Sequence, residues 1–136
     1  MTNQYHGSCL CGTIHYTVTG FRKQVANCHC TMCRKFHGAA FGTLVETDNL
    51  VWLKGRELLK EYTAENGTIR SFCSQCGSSI GFRGAGVALE NMEVAIATFD
   101  GDLPVEVDAQ IFTHYKANWC KLIDGLPTFG EGREIT

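Results

Sequence analysis

The placement of eight cysteines in a chain of 136 residues is what most limits how this sequence can fold. Seven of them fall into three short clusters, and the eighth stands alone: Cys9 and Cys11; Cys28, Cys30 and Cys33; Cys73 and Cys76; and Cys120. Small secreted domains use that many cysteines to replace a missing core, but hydrophobic residues make up 44% of this chain and suffice for a core. The clusters therefore indicate metal binding or catalysis by reduced thiols.

The net charge and the hydropathy of the chain disfavour two classes of partner, nucleic acid and membranes. The chain has 12 basic and 14 acidic residues, a formal net charge of −2, which disfavours nucleic acid. No apolar run reaches the roughly 18–20 residues of a membrane span, and the N-terminus has neither the basic nor the apolar region of a signal peptide. We expect a cytoplasmic protein that forms one domain over residues 1–136.

Short runs of alternating polarity between turn residues predict a mainly antiparallel, all-β fold. The hairpin turn at residues 65–67 contains Asn66 and Gly67, which tolerate the backbone conformation of tight turns. Trp119, Leu122 and Ile123 have helical spacing and predict at most a short C-terminal helix over residues 116–123. Strands are predicted over residues 13–18, 39–45, 58–62, 69–72, 79–82, 93–99 and 107–112.

The cysteine spacings suit tetrahedral zinc, in which two thiolate sulfurs lie ~3.8 Å apart. A Cys-x-x-Cys turn brings two sulfurs into one space, and a Cys-x-Cys pair on extended chain does the same because alternate residues share a face. Two such pairs make a closed, structural site, whereas three ligands with an open fourth position are typical of catalytic zinc. Counting ligands thus favours Cys9, Cys11, Cys73 and Cys76 as a structural site, and Cys28, Cys30 and Cys33 as an open, more labile one.

Other arrangements of the cysteines remain open. One zinc ion held by four of the seven cysteines also satisfies the spacing, as does a reduced or redox-active set without metal. Ferredoxin spacing is absent, which disfavours an iron–sulfur cluster.

Four motifs follow one another along the chain: GSCLCG at residues 7–12, CHCTMCR at 28–34, FCSQCG at 72–77 and DGLP at 124–127. Their order closely resembles the glutathione-dependent formaldehyde-activating family, whose members are often described as carbon–sulfur lyases. The resemblance extends from Gly7 to about Phe129 and implies the tent-like fold of Mss4-type proteins, with a structural zinc in the paired cysteines and a catalytic zinc in the triad. This chain has Gln110-Ile111-Phe112-Thr113 where many members read His-Ile-Phe-Val.

The triad suggests a reaction. Three thiolates blunt the Lewis acidity of zinc and suit a soft fourth ligand, and an incoming thiol loses its proton on binding. Such a thiolate can add to an aldehyde, and the reverse reaction splits a carbon–sulfur bond. His29, between two of the ligands, is a candidate proton carrier, as is His37; Arg34 and Lys35 are candidates for binding an anionic tail such as that of glutathione.

We therefore expect a zinc-dependent carbon–sulfur lyase or synthase that joins or splits a glutathione-like thiol and a small aldehyde such as formaldehyde. One alternative is a non-catalytic, zinc-stabilised module of Mss4-like fold that binds a protein partner. A less favoured alternative is a thiol redox enzyme, which would need a reactive cysteine free of metal; only Cys120 lies outside the clusters.

Overall fold

The computed structural model describes residues 3–133, and this part of the chain forms twelve short strands, one α-helix and four 3-10 turns. None of its helices is long and apolar enough to cross a membrane. The strands are β1 (Tyr5–Ser8), β2 (His15–Val18), β3 (Gly20–Phe21), β4 (Ala26–Cys28), β5 (Gly42–Val45), β6 (Thr47–Asp48), β7 (Val51–Lys54), β8 (Leu59–Thr63), β9 (Ile69–Cys73), β10 (Ser79–Arg83), β11 (Glu93–Ala95) and β12 (Ala109–Ile111). The helix is α1 (Thr31–His37), and the 3-10 turns are Arg56–Leu58, Leu89–Asn91, Ile96–Thr98 and Thr113–Tyr115.

Within the described residues the strands form three sheets. The largest has the order β12-β4-β5-β11-β10-β9-β8, and a three-stranded sheet has the order β1-β2-β7. Strands β3 and β6 form a two-stranded ribbon. Neighbouring strands are antiparallel except β12, which runs parallel to β4. These small, mainly antiparallel sheets confirm the predicted all-β fold class.

The two faces of the seven-stranded sheet have different neighbours. Side chains alternate along β9, so Cys73 points into the hydrophobic core while Arg70, three residues earlier, faces a cavity on the other side. Full burial of each aliphatic side chain in the core contributes about 1.5–3 kcal/mol. The core consists of Cys9, Ile14, Tyr16, Val18, Leu50, Cys73, Ile80, Met92 and Val94.

Helix α1 begins directly at the second cysteine cluster. Cys30 is its N-cap, and the Cys30 sulfur accepts the backbone N–H of Cys33 at 3.3 Å. The helix ends at Gly38, which adopts a left-handed conformation with φ 61° that glycine reaches without steric cost. Helix α1 is fixed beside the seven-stranded sheet by Ser79, whose hydroxyl donates to the carbonyl of Phe36 at 2.8 Å.

Residues 116–123, for which at most a short helix was predicted, form no helix. Trp119 is 66% exposed and Ile123 is 91% exposed, so their helical spacing does not mark a buried face. The ammonium group of Lys116 donates to the carbonyls of Ala117 and Cys120, which would accept backbone N–H groups in a helix. The Ala117 carbonyl also accepts the backbone N–H of Cys120 at 3.1 Å, so a single turn forms here without a helix.

The predicted strand over residues 93–99 is shorter in the structure. Strand β11 ends at Ala95, and the chain continues as a 3-10 turn. The hydroxyl of Thr98 donates to the carbonyl of Ala95 at 2.7 Å. This bond satisfies a carbonyl that a longer strand would have paired across the sheet.

Candidate metal centres and an adjoining cavity

Cys9, Cys11, Cys73 and Cys76, hereafter the four-cysteine cluster, bring their sulfur atoms to within 4.8 Å of one another. The sulfur of Cys11 lies 3.5 Å from that of Cys9 and 3.8 Å from that of Cys73. Sulfurs of a tetrahedral zinc site are separated by about 3.8 Å. Four soft donors at this spacing can hold one thiophilic metal ion in a closed site.

Glycines shape the turns of this cluster. Gly12 follows the first cysteine pair and Gly77 follows the second, and both have φ 78°. A side chain would strain this left-handed conformation. The two glycines let each turn double back, so that the turn after β1 and the turn between β9 and β10 present their sulfurs to one point.

The surroundings of the cluster affect its thiols differently. The hydroxyl of Ser78 lies 3.2 Å from the sulfur of Cys76 and lowers the pKa of that thiol to about 5. Burial raises the pKa of Cys73. Ile14 donates its backbone N–H to the sulfur of Cys9 at 3.3 Å, a bond that favours a thiolate. The cluster therefore stabilises anionic sulfur at its edges and excludes water at its centre.

Cys28, Cys30 and Cys33, hereafter the cysteine triad, form a second group whose sulfurs also lie within 4.8 Å of one another. Hydrogen bonds from Cys28 and Cys33 lower the pKa of Cys30, whereas the hydrogen bond to Cys30 raises the pKa of Cys28. The three sulfurs thus favour one thiolate stabilised by two thiols. A soft divalent cation fits the triad because it can replace the protons of both thiols.

A cavity of about 870 Å³ lies beside one of the two cysteine groups and not the other. All three triad cysteines line it, and none of the four-cysteine cluster does. Apolar side chains such as Leu44, Phe82 and Ile111 form much of its wall. A small molecule in this cavity can therefore reach the sulfurs of the triad but not those of the four-cysteine cluster.

Charged side chains also line the cavity. Among the described residues they are four cations and two acids, Arg22, Lys23, Arg70, Arg133, Glu46 and Glu93. Arg22 lies 3.7 Å from the carboxylate of Asp48, and Arg133 bonds to Asp108. Two of the four lining cations thus have a carboxylate partner, and Lys23 and Arg70 have no ion-pair partner among the described residues.

His29 lies away from this cavity. It is completely buried, and its Nε2 atom lies 2.6 Å from the carboxamide oxygen of Gln110. Gln110 in turn donates its Nε2 to Asp124 at 2.8 Å. In sequence, His29 lies between two triad cysteines. In the structure it contacts the carboxamide of Gln110 on β12 and does not line the cavity.

The other polar candidates also lie outside the lining. Arg34 donates to the backbone carbonyl of Tyr115 at 3.0 Å, and Lys35 is exposed. The ring of His37 packs against Gly42, where an added Cβ would lie 2.2 Å from it, and burial lowers the pKa of His37. No histidine of the described residues lines the cavity.

Sequence reasoning missed Arg70 and Glu93, which do line the cavity. Both lie in strands, β9 and β11, whose residues form its wall. The only sequence signal was a charged residue inside each β-like run, and such a residue usually faces solvent.

The sequence was compared with known proteins. The model of the glutathione-dependent formaldehyde-activating enzyme family matches residues 4–115, a range that contains both cysteine groups. The fold is similar to the crystal structure of a Rhodobacter sphaeroides protein, with a TM-score of 0.57 and 24% identity over 73% of this chain and 91% of that one. The search of curated proteins gave no significant match.

Proposed function

This chain belongs to the glutathione-dependent formaldehyde-activating enzyme family, and on that premise we propose that it is a zinc-dependent carbon–sulfur lyase. Its proposed substrates are a glutathione-like thiol and a small aldehyde such as formaldehyde. Family membership itself supports a glutathione-related, enzyme-like function. The lyase chemistry, the metal and the residue roles are the proposal.

The placement of the cysteine triad at the cavity wall carries the proposal. A structural metal needs no access to small molecules, and the four-cysteine cluster lies outside the cavity. A reactive site needs that access, and the triad has it. We therefore assign a structural zinc to the four-cysteine cluster and an open zinc to the triad.

When bound at the triad, zinc would supply a soft position at which a thiol loses its proton. The chain's own residues supply the rest of the site. Apolar walls surround the space beside the sulfurs, and Lys23 and Arg70, the lining cations without an ion-pair partner among the described residues, favour an anionic substrate. In the joining direction the thiol sulfur bonds to the carbonyl carbon and the thiol proton ends on the carbonyl oxygen. The lyase direction reverses these changes.

The direct test is the rate at which zinc-loaded protein interconverts glutathione plus formaldehyde and their S-hydroxymethyl adduct, measured by NMR exchange spectroscopy. We expect clear acceleration by the wild type and at least about a 100-fold loss in Cys30→Ser, because a thiolate ligand is removed. Cys120→Ser is the matched control, since Cys120 lies outside both cysteine groups, and it should keep full activity. Equal rates with wild type, Cys30→Ser and buffer would overturn the proposal.

A further inference from the structure

Arg70 is a buried cation without a carboxylate partner among the described residues. It is only 6% exposed, and no carboxylate of the described residues lies within ion-pair distance of it. Its recorded side-chain hydrogen bond runs from Nη1 to the hydroxyl of Thr68 at 3.2 Å. Burying an unpaired charge is costly, so this guanidinium favours an anion in the cavity, which a triad thiolate or a bound ligand can provide.

An aromatic ring lies between Arg70 and Glu93, the acid of the same sheet that lines the cavity. Phe82 on β10 pairs with Arg70 on one side and with Glu93 on the other, and all three line the cavity. The guanidinium carbon lies 4.9 Å from the centre of the Phe82 ring and 5.9 Å from that of Phe36. These ring faces attract the cation and orient it without neutralising it.

Arg70 shares the cavity with the cysteine triad. Helix α1 connects the two, because Cys33 and Phe36 lie one turn apart on it and Phe36 contacts the guanidinium. The charge of Arg70 also acts on α1: after burial, it is the second cause that lowers the pKa of His37. A ligand bound by sulfur at the triad would therefore have this cation within the same cavity.

We propose that Arg70 is the anion-binding residue of the cavity and selects thiols that carry a carboxylate. A guanidinium offers five N–H donors in a planar fork. One is recorded as bonded to Thr68, and two of the others can bind both oxygens of a carboxylate. This inference rests on the proposed function, because it needs the triad to hold the sulfur end of the same molecule.

A matched pair of thiols tests the selection. Zinc-loaded protein is titrated with 3-mercaptopropionate and with 2-mercaptoethanol. The first carries a carboxylate where the second carries a hydroxyl. We expect the wild type to bind the carboxylate thiol roughly 10- to 100-fold more tightly, the usual strength of a charge-assisted hydrogen bond. Arg70→Gln should lose this preference and keep its affinity for 2-mercaptoethanol. Arg56→Gln, a change at an exposed arginine outside the cavity lining, should retain the wild-type preference.

The contrary outcomes separate the two proposals. If the wild type binds neither thiol, the proposed function fails and this inference fails with it. If the wild type binds both thiols equally, only the role of Arg70 is overturned. If Arg70→Gln weakens both thiols by the same factor, Arg70 is a counter-ion of the triad and not a selector. The wild-type comparison and Arg70→Lys, which keeps the charge, decide the question if Arg70→Gln does not fold.

Discussion

Gln110 determines how His29 can take part in hydrogen bonding. The carboxamide of Gln110 donates its Nε2 to the carboxylate of Asp124, so its oxygen must face His29. The oxygen can only accept, and His29 therefore carries its proton on Nε2. A histidine with that proton engaged in a buried bond is suited to fixing the strand that carries Cys28 more than to moving protons in the cavity.

Replacing Gln110 tests this structural role. Gln110→Ala leaves the buried Nε2 of His29 without its acceptor, and the loss of a buried hydrogen bond costs about 1–3 kcal/mol. We expect the free energy of unfolding, measured by urea denaturation of zinc-loaded protein, to fall by that amount. Gln4→Ala at an exposed position should change it little. An unchanged stability in Gln110→Ala would show that the bond contributes nothing to folding.

Glu93 makes the cavity sensitive to pH. Val94 on β11 pairs with Val45 on β5, so Glu93 stands opposite Glu46, and both line the cavity. Burial first, and then the charge of Glu46, raises the pKa of Glu93 above its ordinary value of 4.5. An acid whose pKa is raised by folding destabilises the fold once it ionises: stability falls as the pH rises from the unfolded pKa through the folded pKa.

Glu93→Gln should therefore raise the Tm at pH 7. The gain should shrink as the pH falls and vanish below about pH 4.5, where wild-type Glu93 is also neutral. Thermal unfolding of both proteins at each pH, compared pairwise, cancels the effect of acid on the cysteine groups. Glu106→Gln at an exposed position serves as the control. A gain that persists unchanged at low pH would contradict the electrostatic cause.

At the scale of secondary-structure elements, the four-cysteine cluster joins two hairpins. One pair of cysteines follows β1, and in the other pair Cys73 ends β9 while Cys76 lies in the turn before β10. Cys11 and Cys73 are 62 residues apart in sequence, yet their sulfurs are 3.8 Å apart. A metal here closes a long loop of the unfolded chain, whereas a metal at the triad links cysteines within six residues. The first constraint lowers the entropy of the unfolded state far more than the second.

Cys73→Ser should consequently leave the protein unfolded or insoluble. Binding at a structural zinc site contributes on the order of 10 kcal/mol, as much as the whole stability of a typical domain at about 5–15 kcal/mol. Cys30→Ser should retain a cooperative melt and a β-type circular dichroism spectrum. Cys120→Ser provides the control with an equivalent substitution outside both groups. If Cys73→Ser and Cys30→Ser collapse equally, the triad is structural too.

Strands that lie in a clear run of alternating polarity were predictable from the sequence, and short elements outside such a run were not. Strand β2 alternates cleanly, and β8 and β9 flank a turn with Asn66 and Gly67. Strands β1, β3, β4, β6 and β7 were not predicted, because each has only two to four residues and, unlike β2, does not lie in a longer run of alternating polarity. Helix α1 was missed because it has only seven residues and its N-cap is Cys30, a residue whose capping depends on the folded triad and not on ordinary side-chain preference.

At the scale of the whole molecule, the cysteine groups were predictable because their spacing is local or repeats a known motif. The cavity beside the triad was not. The register of three strands brings together Arg70, Phe82 and Glu93. This register cannot be read from the sequence alone. Arg70 is buried and lines the cavity, whereas Arg34 and Lys35, the basic residues nearest the triad in sequence, lie outside its lining.

The separation of the two cysteine groups by the cavity leads to a prediction about metal content. The four-cysteine cluster is a closed set of four donors, and the triad offers only three donors and faces the cavity. Protein purified without chelator or added zinc should hold between one and two zinc ions per chain by plasma emission spectrometry, and two after reloading.

On titration with a chelator, the triad's ion should leave first, because an accessible three-donor site admits the chelator as a fourth ligand. Saturating glutathione should slow that first loss and not the second, since a thiol at the triad competes with the chelator for the same position. In Cys30→Ser only the slowly lost ion should remain. Simultaneous loss of both ions from the wild type would contradict the distinction between an open and a closed site. The absence of a slowly lost ion in Cys30→Ser would contradict it as well.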